Sequence, residues 1–353
     1  MTTPLDDAKV KAFTQRMVTH LSGAAVALML DIGRQTGLFE TMAGMPPATS
    51  AAIAERAGLQ ERYVREWLGA MTCAGIVEYE PAARTYRVPP EHALLLTGDT
   101  SRNLTTLAPF FPLLGRVLPD VVAAFRQGGG VPYARFQPDF TGLMDSRSRP
   151  RYREFLLPKY LGSVDGLVAR LEAGIRVADV GCGTGFSVNL MAQHFPRSTF
   201  VGYDFSDGAL ERAREESAAM GVRNVTFVAQ DVARLPVEPR FDLITAFDAI
   251  HDQIDPAGVL RRIRAALAPG GVFLMLDVHA SSDLAENVDA PMTAFLYTIS
   301  TMHCMTVSLA HGGAGLGTAW GTRLALRMLR EAGFGDVTLV ERVDPTNSLY
   351  VAR

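Results

Sequence analysis

The chain has 353 residues, 48% hydrophobic and 20% charged, enough to bury two cores in a soluble globular protein. A formal net charge of −3 gives no electrostatic reason to expect nucleic acid, and the longest early apolar run, 24–30, is too short for a membrane span or signal peptide. The three cysteines, Cys73, Cys182 and Cys304, lie far apart, which excludes a disulfide framework or zinc spacing and fits a reduced cytoplasm.

Residues 10–42 place Phe13, Met17, Leu21, Val26, Leu28, Leu30, Ile32 and Leu38 at helical spacing, which predicts one or two helices. Thr49 or Ser50 then caps a helix over 50–57 that stops at Gly58. A second helix runs from about Gln60 to Ala74 and stops at Gly75. IVEY (76–79) and TYRV (85–88) read as two strands around a turn at Pro81. Helix, turn, helix, hairpin is the order of a winged helix, with Tyr63, Trp67, Leu68, Met71 and Ile76 as its expected core. A module that reads DNA should be basic, yet residues 1–100 hold nine Lys or Arg against eleven Asp or Glu. Glu61, Arg62, Arg65 and Glu66 cancel on the second helix. Nucleic acid is therefore an unfavoured partner, and dimerisation is the alternative role for residues 1–100.

Residues 101–165 read as a helical connector or lid. An apolar stretch (Leu107, Phe110, Phe111, Leu113, Leu114, Val117, Leu118) is broken by the glycines 128–130 and by VPYARF (131–136), and a helix is expected from Tyr152 to Leu171. Phe110, Phe111, Tyr133, Phe136, Tyr152 and Phe155 are either core or the lining of an apolar substrate pocket.

The third region, 166–353, opens on VADVGCGTGFSVNL (177–190). The apolar run before the glycines is that of a parallel strand buried on both faces. Gly181, Gly183 and Gly185 allow a sharp turn that brings bare backbone close to a ligand. A dinucleotide fingerprint needs a small residue at 186, where Phe186 stands. STFVGYD (198–204) is the next strand and ends on Asp204, nineteen residues after Gly185, where a carboxylate can accept from two ribose hydroxyls or cap the following helix. Its neighbour Phe205 could pack on an adenine or ribose edge. NVTFVAQD (224–231) is the third strand, FDLITAFDAIHD (241–252) the fourth, and VFLMLDV (272–278) the fifth, with Asp255 capping a helix that has Pro256 in its first turn.

The pattern D-x-G-x-G-x-G from Asp179, followed by this strand series, resembles the Rossmann-like S-adenosylmethionine-dependent methyltransferases. The resemblance implies an α/β fold, a doubly wound seven-stranded sheet. It also implies a cofactor, S-adenosyl-L-methionine, held by Asp179, Gly181, Gly183, Gly185, Asp204, Phe205, Asp231, Val232 and Phe247. In such proteins the carboxylate at 231 and the amide of 232 lie beside adenine; Asp231 also reads as an ordinary strand end. The winged-helix pattern resembles the N-terminal domain of the small-molecule O-methyltransferases, where it pairs subunits, so a cytoplasmic homodimer is expected.

AIHDQIDPAGVL resembles the histidine-aspartate segment of those enzymes, which implies His251 as general base and Asp252 as an orienting or substrate-contacting group; Gln253 stands where an aromatic is expected. His251 reads equally as a strand end or a contact to the cofactor's methionine end. Residues 279–318 are expected to cap the acceptor, with His303, Cys304, His311 and Trp320 either in the pocket or structural. A helix from Thr322 to Glu331 and a hairpin (336–343, 348–353) close the chain. No metal-ligand cluster is evident. The preferred function is O-methylation, over N- or C-methylation, of an apolar or aromatic small molecule. The alternative is a transcriptional regulator whose winged helix binds DNA while the second domain senses S-adenosylmethionine.

Overall fold

The computed structural model describes residues 5–238 and 240–353, in two compact units divided after Gly115. In the first, α1 (Asp7–Thr36) is capped by the Asp6 carboxylate and ends at Gly37 in a left-handed conformation. Next come α2 (Leu38–Ala43), α3 (Ser50–Ala57), α4 (Glu61–Cys73), the antiparallel pair β1 (Glu78–Glu80) and β2 (Thr85–Arg87), and α5 (Pro90–Leu96). Thr49 caps α3 and Gly58 ends it, as the sequence suggests.

Val64, Trp67, Leu68 and Met71 recur at helical spacing on α4 and are buried against Phe39 and Ile53. The Trp67 indole donates to the Met29 carbonyl at 2.8 Å. Tyr63, expected in this core, is 79% exposed, because it falls off the stripe formed by 64, 67, 68 and 71. β1 begins at Glu78 rather than at 76 because the amides of Ile76 and Val77 bond back to the Met71 carbonyl. The stretch 104–127, which contains α6 (Phe110–Gln127), is long and apolar enough to cross a membrane by length and composition, with 33% of its apolar 18-residue window buried in the protein.

The second unit takes in the end of α6 from Arg116, a short 3-10 turn (Tyr133–Phe136), α7 (Asp139–Phe155) and α8 (Leu167–Ala173). Strands and helices then alternate: β3 (Arg176–Val180), α9 (Phe186–His194), β4 (Thr199–Asp204), α10 (Asp207–Ala219), β5 (Val225–Ala229), β6 (Phe241–Phe247), α11 (Pro256–Ala266) and β7 (Leu267–Val278). The 279–318 segment holds α12 (Leu284–Asn287), α13 (Thr293–Ile299) and α14 (Met305–Leu309); α15 (Thr322–Glu331), β8 (Val337–Val340) and β9 (Asn347–Ala352) follow. The seven strands are ordered β5-β4-β3-β6-β7-β9-β8, with β3 to β7 parallel and β9 antiparallel to both neighbours. Helices α8, α9 and α10 cover one face through Leu171, Val188 and Leu210; α11 and α15 cover the other through Leu260 and Leu329. The strand order reverses between β3 and β6, the crevice where open α/β sheets take ligands.

Three elements differ from expectation. The helix expected over 152–171 is the end of α7, a π-helical turn (Leu156–Tyr160) containing Pro158, which has no amide to donate, and then α8. β6 ends at Phe247 because Asp248 turns left-handed (φ 54°), which leaves His251 and Asp252 in a turn rather than on a strand. β7 starts at Leu267, not Val272, because the register shifts between Phe241 and Leu243 and takes in the 267–271 segment.

Candidate functional site

The glycine turn joins β3 to α9, and Gly181, Gly183 and Gly185 all have positive φ (72°, 53° and 74°). A Cβ on Gly183 would meet nothing within 4 Å, whereas one on Gly185 would lie 2.7 Å from Ala213 and Phe227. Gly183 therefore opens onto space and Gly185 serves the packing of helix on strand. Asp179 is buried and accepts from the hydroxyls of Ser187 and Thr245, both at 2.7 Å. It ties the turn to β6 beneath the cavity, and burial pushes its carboxyl up to about 6.

Above the turn lies a cavity of about 440 Å³. Its floor follows the sheet order: Asp231 and Val232 after β5, Asp204 and Phe205 after β4, Gly181 and Gly183 after β3, Phe247 and Asp248 after β6. Asp204 is buried and accepts from the amides of Gly183 at 2.8 Å and Ser206 at 2.9 Å; burial holds its carboxyl above the ordinary range. Phe205 is exposed and meets Tyr133 edge-on at 5.3 Å. Asp231 caps the next turn through the Ala233 amide at 2.9 Å, while Val232 and Phe247 are buried. Phe247 packs on Tyr152, 5.6 Å between centroids.

Helix α7 forms an upper wall with Phe140, Met144, Ser148, Arg151 and Tyr152. The Arg151 guanidinium pairs with Asp248 at 2.5 Å and donates to Asn347 at 2.7 Å, and Asn347 donates to Asp248 at 2.6 Å. This triad joins α7, β6 and β9 and was not foreseen: nothing in local periodicity couples three residues so distant in the chain. Of the connector aromatics, Tyr133 and Tyr152 line the cavity, whereas Phe136 is fully buried and Phe155 packs on the core.

The histidine-aspartate segment divides its two side chains. Asp252 lies on the cavity wall, where burial pushes its carboxyl up to about 6. His251 is buried behind the wall, with Nδ1 2.8 Å from Asp277 Oδ1. Burial pulls the imidazole down, but the Asp277 carboxylate and Cys304 outweigh it and hold His251 well above the usual histidine range. Cys304 is itself buried and accepts from the Thr318 hydroxyl at 3.0 Å. His311 is on the wall, His303 lies behind it, and Trp320, of the two roles open to it, takes the structural one, in the core beneath α11 and α15. Among the described residues, no cluster of three or more His, Cys, Asp or Glu is placed to hold a metal.

Comparison with known proteins agrees with this architecture. Residues 24–98 match the family described as the Rv2258c-like winged HTH domain, and residues 171–333 match the family described as the methyltransferase domain. A trans-aconitate 2-methyltransferase from Acidovorax sp. is 30% identical over 147 residues, 41% of this chain and 52% of that protein; one from Methylobacterium nodulans is 38% identical over 127 residues, 35% of this chain and 45% of that protein. The chain thus spans about half the length of the curated relatives it matches. Among solved structures, the mitomycin 7-O-methyltransferase superposes with a TM-score of 0.70 at 17% identity, covering 99% of this chain and 100% of that one. Human N-acetylserotonin methyltransferase in complex with SAM superposes with a TM-score of 0.68 at 17% identity, covering 100% and 99%. At these identities the likeness defines the fold. The fold and matches define a Rossmann-like methyltransferase domain over residues 171–333 and a winged helix-turn-helix domain over residues 24–98.

Proposed function

We propose that the protein is an S-adenosylmethionine-dependent methyltransferase that acts on a hydroxyl oxygen of an apolar or aromatic small molecule. The observation that carries this reading is the cavity laid along the ends of β5, β4, β3 and β6, with Asp204 bonded to Gly183 at its centre. About 440 Å³ accommodates one molecule of nucleoside size. Asp204, Asp231 and Asp252 line the cavity and, among the described residues, have no Arg or Lys partner, which suits a cationic ligand. The residues present therefore fit the group.

Asp204 offers its carboxylate to the ribose, Val232 and Asp231 flank the adenine, and Gly183 leaves the backbone bare beside the chain between them. Arg151 and Asp248, oppositely charged and side by side, suit the carboxylate and ammonium of the amino-acid end. Asp179, Gly181 and Gly185 hold the turn in shape, and Phe205 and Phe247 pack at either end. The bound sulfonium supplies an activated methyl with a neutral leaving group.

The chain's remaining work is to orient the acceptor, exclude water and take a proton. Asp252 faces the cavity and is ionised at neutral pH, so we assign it the proton. His251, protonated against Asp277 and turned from the cavity, is a positioning residue that keeps Asp252 ionised.

Dimerisation through the first unit is part of the same reading. Val10, Phe13, Met17, Leu21, Leu28 and Ile32 recur on one face of α1 and are 40–67% exposed, an apolar stripe that a second copy would cover. The free cysteines suit a cytoplasmic site. The regulator alternative gains no support from the slightly acidic first hundred residues. Titration calorimetry with S-adenosylhomocysteine tests the central assignment: one site per chain is expected, and absence of binding would overturn it.

A further inference from the structure

The π-helical turn Ser300–Cys304, between α13 and α14, carries one extra residue in the helix and turns His303 into the interior. His303 is 1% exposed, and its ring lies flat on Phe140, with centroids 3.6 Å apart and 13° between planes. Phe136 and Tyr133 meet it edge-on at 4.6 and 5.9 Å. Among the described residues, neither ring nitrogen has a hydrogen-bond partner. Burial and the neighbouring His251 push its pKa down to about 3, so the ring is neutral, with one donor and one acceptor. Polar groups buried without partners are costly and rare, and a π-helical turn is a common mark of a functional position.

The surroundings say what would reach those nitrogens. Phe140 and Tyr133 line the cavity, as does Val307, one helical turn beyond His303, so one ring's thickness separates the imidazole from the cavity. The charge lining the cavity is adverse to anions: among the described residues Asp204 and Asp252 have no Arg or Lys partner, and Arg151 is engaged by Asp248 and Asn347.

We propose that Phe140 gates a recessed acceptor subsite whose end wall is His303, taking an uncharged planar aromatic compound whose polar edge bonds the imidazole. With the Phe140 ring swung aside, the acceptor ring takes its place against Tyr133, and a hydroxyl or carbonyl oxygen satisfies His303. His303 is thus a specificity-determining residue, and a tricarboxylate such as trans-aconitate is rejected. This inference rests on the methyltransferase reading.

The test is equilibrium binding in saturating S-adenosylhomocysteine, with catechol, 2-naphthol and 1-hydroxyanthraquinone as neutral probes and trans-aconitate as the anion. At least one neutral probe should bind, and His303→Leu should weaken it about tenfold or more. His303→Gln, which keeps a donor and an acceptor, should recover most of the loss. Phe140→Ala should strengthen the larger probes, and S-adenosylhomocysteine affinity should be unchanged in both His303 variants. Unaltered probe binding in His303→Leu, tighter binding of trans-aconitate than of any aromatic, or no probe bound by either wild type or Phe140→Ala would each overturn the subsite. Failure to bind S-adenosylhomocysteine would instead strike at the methyltransferase reading.

Discussion

The Asp204 carboxylate accepts the Gly183 amide at 2.8 Å, so the end of β4 and the glycine turn after β3 form one unit. Removing that carboxylate has two effects: the ribose loses its acceptor, and a turn amide loses its bond. Asp204→Ala should therefore weaken S-adenosylhomocysteine binding by about 2–4 kcal/mol, roughly 30- to 1,000-fold. Calorimetry showing affinity within twofold of wild type would refute the ribose assignment.

Asp252 accepts a proton only when ionised, so turnover should rise with pH through about 6, the position to which burial moves its carboxyl. Asp252→Asn should abolish that limb and lower kcat by about 10²- to 10⁴-fold. The positive charge of His251 lowers the Asp252 pKa, so His251→Gln should shift the limb toward higher pH. If His251→Gln instead stops turnover at every pH while Asp252→Asn keeps the limb, the base is His251.

Arg151 and Asp248 are each 12% exposed at their side chains. Arg151→Met removes the guanidinium paired with the buried Asp248 carboxylate, which Asn347 still bonds, and should cost about 3 kcal/mol of stability. The double variant Arg151→Met with Asp248→Asn should regain most of the melting temperature and none of the cofactor affinity. Recovery of both together would show that the pair is structural alone.

On α1, Phe13 is 56% and Leu21 67% exposed on the same face. Leu21→Asp in a dimer would bury a charge with no partner, so sedimentation should show a monomer whose winged-helix unit remains folded. A variant that sediments like wild type would place the interface elsewhere.

What could be read in advance is where local and global demands coincide. β3 and β6 are apolar because both their faces are covered, Thr49 and Asp255 cap the helices they precede, and Gly183 and Gly185 sit where the backbone needs positive φ. Helix α7 was missed because its apolar stripe is interrupted by Gly142, Pro150 and a run of arginines, and tertiary contact holds it. The facing of His251 was equally hidden. Its sequence neighbours are those of a cavity residue, yet the left-handed turn at Asp248 and the pull of Asp277, 26 positions on, send it inward. Arg151 finds Asn347 across 196 positions, a distance at which no spacing rule operates.

The insertion of β9 between β7 and β8 has a kinetic consequence. Asn347, its first residue, helps hold Arg151 and Asp248 together, so the cavity is closed by a partner that arrives only when a late, non-local strand has docked. Such long-range pairing is slow because loop-closure entropy must be met before the contacts form. A chain with β3 to β7 condensed but β9 undocked should hold nucleotide weakly or not at all. A ligand that binds only the finished cavity draws the population through that final docking step and protects it from reversal, so β9 amides should exchange more slowly with S-adenosylhomocysteine present.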